Sequence, residues 1–251
     1  MVGSMGNSSL VTYTNLSPNC TSPRRGKIDT VTIHCIVAQW TAKQGCDYFA
    51  QPSAKASANY VVGCDGSIGL CVDEANRAWT TGGTLSVNGE TGAMNDHHAV
   101  TIEVASDTTA PYAITEAAYA ALIRLVADIA KRNGLGELKW KADKSLVGKP
   151  DEQNMTVHRW FANKACPGDY LYERMGDIAQ KANAINFPSE GSEETVSEPV
   201  VNNQPADWAK EAWDKAMADG VMDGTRPWEA ITRQEVAVIL DRLGLLEEGD
   251  A

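Results

Sequence analysis

Alternating apolar and polar positions predict a series of β-strands in the first two thirds of the chain. The segment DTVTIHCIVA alternates β-branched residues between two faces and places His34 near its middle. AVTIEVASD predicts a second strand with Glu103 between apolar neighbours, and NMTVHR predicts a short last strand that delivers His158. SANYVVGCDGSIGLCV predicts a hairpin that turns at Asp65 and Gly66, because Asp-Gly readily takes the positive φ angles of a tight turn.

Helical periodicity predicts the elements between and after these strands. ITEAAYAALIRLVADIAKRNG has an N-cap at Thr115, apolar residues three and four apart, and a stop signal at Asn133 and Gly134. TAKQGCDYFA predicts a shorter helix, and DYLYERMGDIAQKANAIN predicts a terminal one. Because strands alternate with helices, we predict an α/β domain over residues 10–187.

The last quarter of the chain follows a different pattern. Residues 188–206, PSEGSEETVSEPVVNNQPA, are polar, acidic and interrupted by three prolines, which is typical of a linker. DWAKEAWDKAMADG and ITRQEVAVILDRLG then predict two amphipathic helices, the second opening with a capping box from Thr232 to Glu235. We therefore predict a small helical hairpin over residues 207–246.

The charge distribution argues against two classes of partner. The formal net charge is −11, but residues 1–187 hold 17 basic against 18 acidic residues, whereas residues 188–251 hold 5 against 15. A nearly neutral body with an acidic tail offers no basic stripe for nucleic acid and no polybasic membrane anchor. The N-terminus lacks the basic and apolar regions of a secretory signal, so we expect synthesis in the cytoplasm without a signal peptide.

Residues suited to zinc chemistry lie on the predicted strands or in the loop that follows the last one. His34, His158 and Cys166 offer two imidazoles and a thiolate, and they could converge at one edge of the sheet. Three protein ligands would leave a fourth position for water, which is typical of a catalytic site. An extended run through ANKACPGD would put Lys164 on the same side as Cys166, and Glu103 supplies a carboxylate among apolar residues.

Other readings of the same residues stay open at this point. Cys166 followed by a Pro-Gly turn also fits a nucleophile with His158 as its base. Each of these residues also fits an ordinary buried position. His97 and His98 are rival ligands, but they lie in the polar segment GAMNDHHA, which we interpret as a loop that lines the cleft.

Several motifs together resemble one enzyme family. TIHC, SANYVVGCDGSIG, AWTTGG, VTIEV and HRWFANKACPGDYL, in this order, resemble the zinc-dependent N-acetylmuramoyl-L-alanine amidases of phage endolysins and bacterial autolysins. The resemblance runs from about residue 13 to residue 186 and implies a mixed central β-sheet flanked by helices, a fold shared with peptidoglycan recognition proteins. It implies that the protein cleaves the amide between N-acetylmuramic acid and L-alanine in peptidoglycan, acting on the cell wall after release.

The resemblance also implies roles for individual residues. It assigns Zn²⁺ to His34, His158 and Cys166, and catalysis to Glu103 and Lys164. The candidate substrate-binding residues are Tyr60, Trp79, Thr80 and His98.

Two departures from the family pattern change this assignment. Ala58 stands where many members have a tyrosine, which shifts the role of general base onto Glu103. Many members read Trp-His-Ala-Gly where this chain reads Trp79-Thr80-Thr81-Gly82, which removes a cleft histidine. The competing hypothesis is a non-catalytic peptidoglycan-binding module of the same fold, whose members lack the cysteine ligand that this chain has.

The tail resembles a different module. WAKEAWDKAMADGVMDGTRPWEAITRQEVAVILDRL is similar to one S-layer homology motif, a module that usually occurs in threes. A single hairpin of roughly 40 residues is at the limit of what buries a core alone. We therefore expect self-association into a homo-oligomer through this hairpin; docking on the amidase domain and direct wall binding are the alternatives.

Overall fold

The computed structural model describes residues 6–188, 210–220 and 239–240. The chain divides into two compact units, residues 1–189 and 190–251. Residues 189–209 of the predicted linker and its junction, and most of the second predicted tail helix, lie outside the described residues. No helix in the described ranges is both long and apolar enough to cross a membrane.

A six-stranded mixed sheet forms the centre of the first unit. Its strands, in chain order, are β1 (Tyr13–Thr14), β3 (Thr30–Cys35), β4 (Tyr60–Val62), β5 (Ile68–Leu70), β9 (Ala99–Val104) and β10 (Met155–Val157). Two further sheets have two strands each: β2 (Cys20–Thr21) pairs with β6 (Arg77–Ala78), and β7 (Ser86–Val87) pairs with β8 (Glu90–Thr91). The spatial order of the sheet is β1-β5-β4-β9-β3-β10. Neighbours are parallel except for the β4–β5 hairpin, so the mixed sheet implied by the resemblance is confirmed.

Four helices accompany this sheet. They are α1 (Ala42–Phe49), α2 (Gly92–His98), α3 (Glu116–Asn133) and α4 (Asp169–Asn186), with short 3-10 turns at Pro52–Ala54, Lys144–Leu146 and His158–Trp160. The Thr115 side chain caps α3 by accepting from the backbone N–H of Ala118, and Gly134 ends the helix at a φ of 65°. Both predicted ends of this helix are confirmed.

The two faces of the sheet have different chemistry. Val31 and Ile33 of β3 lie in the large apolar core, which also contains the buried faces of α3 and α4. On the opposite face, Thr32 of β3 hydrogen bonds Thr156 of β10 at 2.8 Å, and the Asn95 side chain of α2 bonds both threonines. One face therefore holds the fold together through apolar burial, and the other carries polar groups that lead towards His34.

The structure corrects the interpretation of GAMNDHHA as a loop. This segment is the helix α2, capped by the Thr91 side chain, and it includes both His97 and His98. Its first residue, Gly92, lies so close to another segment that an added Cβ would be 1.6 Å from the carbonyl oxygen of Thr81. A tertiary contact that only glycine permits therefore sets the start of the helix.

The second unit is described only in part. Helix α5 (Lys210–Ala218) lies within the first predicted tail helix, and Met217 on it is exposed. Of the second predicted helix only Ile239 and Leu240 are described, and both are helical.

Candidate active site

The carboxyl ends of three adjacent parallel strands bring the candidate residues together. His34 is the fifth residue of β3 and pairs directly with Glu103 of β9. On the other side of β3, Val157 of β10 pairs with Ile33, and His158 follows immediately. Ligands of open α/β sheets bind at this edge, because the loops that follow parallel strands meet there.

The side chains of His34, His158 and Cys166 form one compact cluster. Their potential ligand atoms all lie within 4.8 Å of one another. The Cys166 sulfur is 3.4 Å from His34 Nδ1, and the two imidazole centroids are 5.1 Å apart. These atoms are close enough to share one metal ion, and two imidazoles with one thiolate is a donor set that zinc accepts.

The environment keeps both imidazoles neutral, which is the form that binds a metal. His34 is fully buried, and burial, followed by the charge of His158, lowers its pKa well below the usual value. The pKa of His158 is also lowered, first by burial and then by the positive charge of Lys164, while a hydrogen bond with the backbone of Gly82 acts the other way. Neither imidazole has to lose a proton at neutral pH before it can coordinate.

The turn after His158 carries Cys166 back to this edge. The backbone N–H of Arg159 donates to the Cys166 carbonyl at 3.0 Å, and the backbone N–H of Cys35 lies 3.4 Å from the Cys166 sulfur. Burial raises the pKa of the Cys166 thiol well above its usual range. A nearby cation would be needed to favour the thiolate, which is what a bound metal provides.

Glu103 contributes a buried carboxylate beside the cluster. Its side chain is 15% exposed, and Oε1 lies 4.0 Å from His34 Nδ1. Its other oxygen, Oε2, is buried and has no hydrogen-bond partner within the described part of the chain. Burial, together with the charge of Cys35, raises the pKa of Glu103 to about 8. A buried oxygen with no protein partner beside three metal-type donors fits a site completed by a metal ion and water.

Lys164 lies in an irregular turn rather than the extended run that the sequence suggests. Its backbone N–H donates to the Ala162 carbonyl at 2.9 Å, and its side chain is exposed. The ammonium is nevertheless near enough to His158 to lower the pKa of that imidazole. The positive charge therefore sits at the solvent side of the cluster.

The family comparison agrees with this geometry. Residues 24–169 match the N-acetylmuramoyl-L-alanine amidase family, Amidase_2. The chain belongs to this family. The match contains all three residues of the cluster and both Glu103 and Lys164, so the amidase carries its candidate site inside the matched region, and the protein is a peptidoglycan hydrolase.

Several solved structures are similar to the amidase at low sequence identity. PlyL is 15% identical with a TM-score of 0.50, covering 68% of this chain and 95% of its own. A mutant endolysin from Bacillus subtilis is 17% identical with a TM-score of 0.47, covering 69% and 98%, and an AmpD derivative is 21% identical with a TM-score of 0.49, covering 68% and 96%. No curated protein sequence matches the chain. At this identity PlyL supports the fold alone.

The segment after β6 contains one contact that the sequence did not reveal. Trp79 is 38% exposed and donates from Nε1 to the Thr21 hydroxyl, and the Thr80 hydroxyl bonds that of Thr101 at 2.7 Å. It is the next residue, Thr81, whose hydroxyl lies 3.1 Å from His34 Nε2. No sequence signal distinguishes these adjacent threonines, since only the path of the backbone decides which one faces the histidine.

Tyr60 does not lie in the cleft of the amidase. It is fully buried, its hydroxyl donates to the Glu74 carboxylate at 2.6 Å, and it accepts from the backbone N–H of Ser8. In the sheet, Val61 and not Tyr60 pairs with Glu103, so Tyr60 projects from the opposite face. The prediction that Tyr60 binds substrate is therefore wrong, and its role is structural.

His98 is also remote from the cluster. It ends α2 just before β9, and its Nδ1 lies 3.9 Å from a carboxylate oxygen of Asp29, at the amino end of β3. Glu103 is five residues further along, which corresponds to about 16 Å of extended chain. His98 therefore lies at the opposite end of β9 from Glu103, and a contact between His98 and substrate stays a prediction.

Proposed function

We propose that this amidase is zinc-dependent and that His34, His158 and Cys166 hold the zinc ion. The observation that carries the proposal is the convergence of their three ligand atoms within 4.8 Å, beside a Glu103 carboxylate oxygen that has no hydrogen-bond partner among the described residues. When bound, zinc would act as a Lewis acid that polarises the scissile carbonyl and lowers the pKa of the attacking water. The bond cleaved is the amide between the lactyl group of N-acetylmuramic acid and L-alanine.

Glu103 acts as the general base in this proposal. It accepts a proton from the attacking water and later returns it to the nitrogen of the leaving L-alanine. Burial alone favours the neutral acid, and a neighbouring positive charge favours the carboxylate that this task requires. Because Oε2 has no hydrogen-bond partner in the part of the chain that the structure describes, that oxygen can receive the proton.

Lys164 stabilises the negative charge that develops on the substrate carbonyl oxygen. Lys164 is exposed, and its positive charge lowers the pKa of His158. The ammonium therefore lies on the solvent side of the cluster, from which a wall polymer would bind. Trp79, exposed beside the segment that contacts both histidines, is the proposed aromatic contact for substrate. The Thr80 hydroxyl already bonds Thr101, so any contact it makes with substrate would have to be shared.

A cysteine nucleophile is the second candidate mechanism. The 3.4 Å separation of Cys166 Sγ and His34 Nδ1 would suit a thiol and its base, although the proposed base in that reading was His158. Burial raises the pKa of Cys166, which opposes the thiolate that a nucleophile needs. The zinc mechanism is favoured because a bound metal ion would stabilise the Cys166 thiolate and offset the effect of burial on its pKa.

Digestion of purified cell wall distinguishes these mechanisms. The zinc reading predicts loss of activity in a chelator and recovery with added Zn²⁺, and mass spectrometry should find fragments with a free L-alanine amino group. The nucleophile mechanism predicts that activity is retained in the chelator and lost after treatment with a thiol-alkylating reagent. Full activity of the chelated protein would overturn the zinc proposal.

For the tail we propose self-association into a homo-oligomer, which would raise avidity for the wall by multivalency. The support is the exposed Met217 on a helix whose Trp213 and Ala216 are only partly buried. Direct wall binding is disfavoured, because anionic wall polymers would repel an acidic segment. Light scattering on the full chain and on residues 1–187 tests this: a multimer that becomes monomeric on truncation supports it, and a monomer in both contradicts it.

We propose that this amidase acts on peptidoglycan in the bacterial cell wall.

A further inference from the structure

Thr81 joins the proposed zinc cluster to the body of the protein. Its side chain is fully buried, and its hydroxyl lies 3.1 Å from Nε2 of His34. The other nitrogen of the same ring, Nδ1, faces Cys166 and Glu103. One edge of the imidazole thus points into the cluster, and the other edge meets a single hydroxyl.

Thr81 is itself held by a buried carboxylate. Asp96 of α2 is 2% exposed, and one of its oxygens accepts from the backbone N–H groups of Thr80 at 3.1 Å and Thr81 at 2.8 Å. The Thr81 side chain also lies close enough to this carboxylate to act against the burial that raises the pKa of Asp96. The carboxylate therefore fixes the backbone of Thr81 and lies beside its hydroxyl.

The close packing of α2 leaves Thr81 little freedom to move. A Cβ on Gly92 would meet the Thr81 carbonyl oxygen at 1.6 Å, so the start of the helix and the Thr81 backbone are in direct contact. Gly92 and Asp96 lie on the same helix, four residues apart, and both contact the segment that contains Thr81. The hydroxyl is thus presented to His34 by a rigid support.

We propose that Thr81 and Asp96 are positioning residues, which hold His34 with a proton on Nε2 so that Nδ1 is free to bind the metal. This inference rests on the proposed zinc site. It extends that proposal by naming the groups outside the ligand set that determine how well the metal is held.

The donor and acceptor roles follow from the chemistry of each group. An ionised carboxylate can only accept, so the negative charge of Asp96 favours a Thr81 hydroxyl whose hydrogen points towards the carboxylate and away from His34. The hydroxyl oxygen then accepts from His34, which requires a hydrogen on Nε2 and leaves a lone pair on Nδ1. Partners of this kind that orient a ligating histidine typically change metal affinity by about 10- to 100-fold when they are lost.

Two substitutions at one position provide the test. Thr81→Val keeps the shape of the side chain but removes the hydroxyl, whereas Thr81→Ser keeps the hydroxyl. Thr80→Val is the matched control, because the adjacent hydroxyl bonds Thr101 instead of the histidine. Zinc affinity is measured by competition with a chromophoric chelator, and the absorption spectrum of the cobalt(II)-substituted protein reports whether the same ligands still bind.

We expect Thr81→Val to weaken zinc binding by about 10- to 100-fold with cobalt band positions that still indicate one thiolate ligand. Thr81→Ser and Thr80→Val should both bind zinc close to the wild-type affinity. Equal affinity of Thr81→Val and wild type would overturn the inference, as would equal losses in the Val and Ser variants. A wild-type protein that binds no zinc would instead overturn the proposed function and this inference with it.

Asp96→Asn gives an independent test that does not depend on the folding of Thr81→Val. The amide keeps an oxygen for the N–H groups of Thr80 and Thr81 but removes the negative charge that directs the Thr81 hydroxyl. We expect weaker zinc binding in the folded variant, with circular dichroism as the check on folding. Wild-type affinity in a folded Asp96→Asn protein would overturn the role of Asp96.

Discussion

Replacing Glu103 by glutamine should make the metal-free protein more resistant to unfolding at neutral pH and should remove most of the activity of the zinc-loaded protein. Glutamine keeps the size of the side chain but cannot ionise. Burial raises the pKa of Glu103 from 4.5 to about 8, so the folded metal-free protein favours the neutral acid. The stabilisation associated with this proton is complete below pH 4.5 and is lost as the pH rises towards 8.

The size of the effect follows from this difference in pKa. At pH 5 the unfolded carboxyl is only partly ionised, and the penalty for folding is about 1 kcal/mol; at pH 7.5 it is about 4 kcal/mol. Wild type should therefore lose about 3 kcal/mol of stability between these pH values relative to Glu103→Gln. The comparison of two pH dependences cancels the other titrating groups and any fixed cost of burying the amide.

Urea unfolding of chelator-treated protein at pH 5 and pH 7.5 measures this difference, with wild type and Glu103→Gln in parallel. Equal pH dependence in the two proteins would refute the argument that Glu103 is buried as an acid. In the zinc-loaded protein the same substitution should slow wall hydrolysis by about 10²- to 10⁴-fold, because the general base is lost. Wild-type turnover in a zinc-loaded Glu103→Gln protein would refute the assignment of Glu103 as the base.

Three further substitutions test the other residues. Lys164→Ala should fold, keep zinc and hydrolyse wall about 100- to 1000-fold more slowly, and near-normal turnover would refute its role. Tyr60→Phe should lower the free energy of unfolding in urea by about 1–3 kcal/mol, because the hydroxyl contacts with Glu74 and Ser8 are removed. Its turnover should be unchanged under conditions where it stays folded, and a selective loss of turnover would contradict a structural role for Tyr60. His98→Ala should keep wild-type turnover per folded molecule, and a loss comparable to that of Lys164→Ala would contradict its placement at the opposite end of β9.

Local signals in the sequence were sufficient for the main elements. The cap at Thr115 and the glycine at 134 defined α3 to the residue, because both act through hydrogen bonds and φ angles within the same short segment. The convergence of His34 and His158 could also be anticipated, since both lie at the carboxyl ends of strands that become neighbours. Cys166 follows within a few residues of His158 and needed only a short turn to return.

The sequence-based predictions failed at positions whose structure depends on contacts between distant segments of the chain. Helix α2 was interpreted as a loop because the segment GAMNDHHA is polar, and the sequence does not show the contact between its first residue, Gly92, and Thr81. Tyr60 was assigned to the cleft because the sequence does not give the register between β4 and β9, and a shift of one residue exchanges the two faces. Thr81 was passed over for Thr80 for a similar reason, since the choice depends on how the chain leaves β6.

The zinc content of the purified protein tests the central claim most directly. Protein prepared without chelator, with Cys166→Ala as the matched control, is analysed by elemental mass spectrometry against the protein concentration. The account predicts about one zinc ion per wild-type chain and much less in the variant, because a structural or catalytic zinc needs its protein donors. Wild-type protein that hydrolyses peptidoglycan without bound zinc, or equal zinc in both proteins, would contradict it.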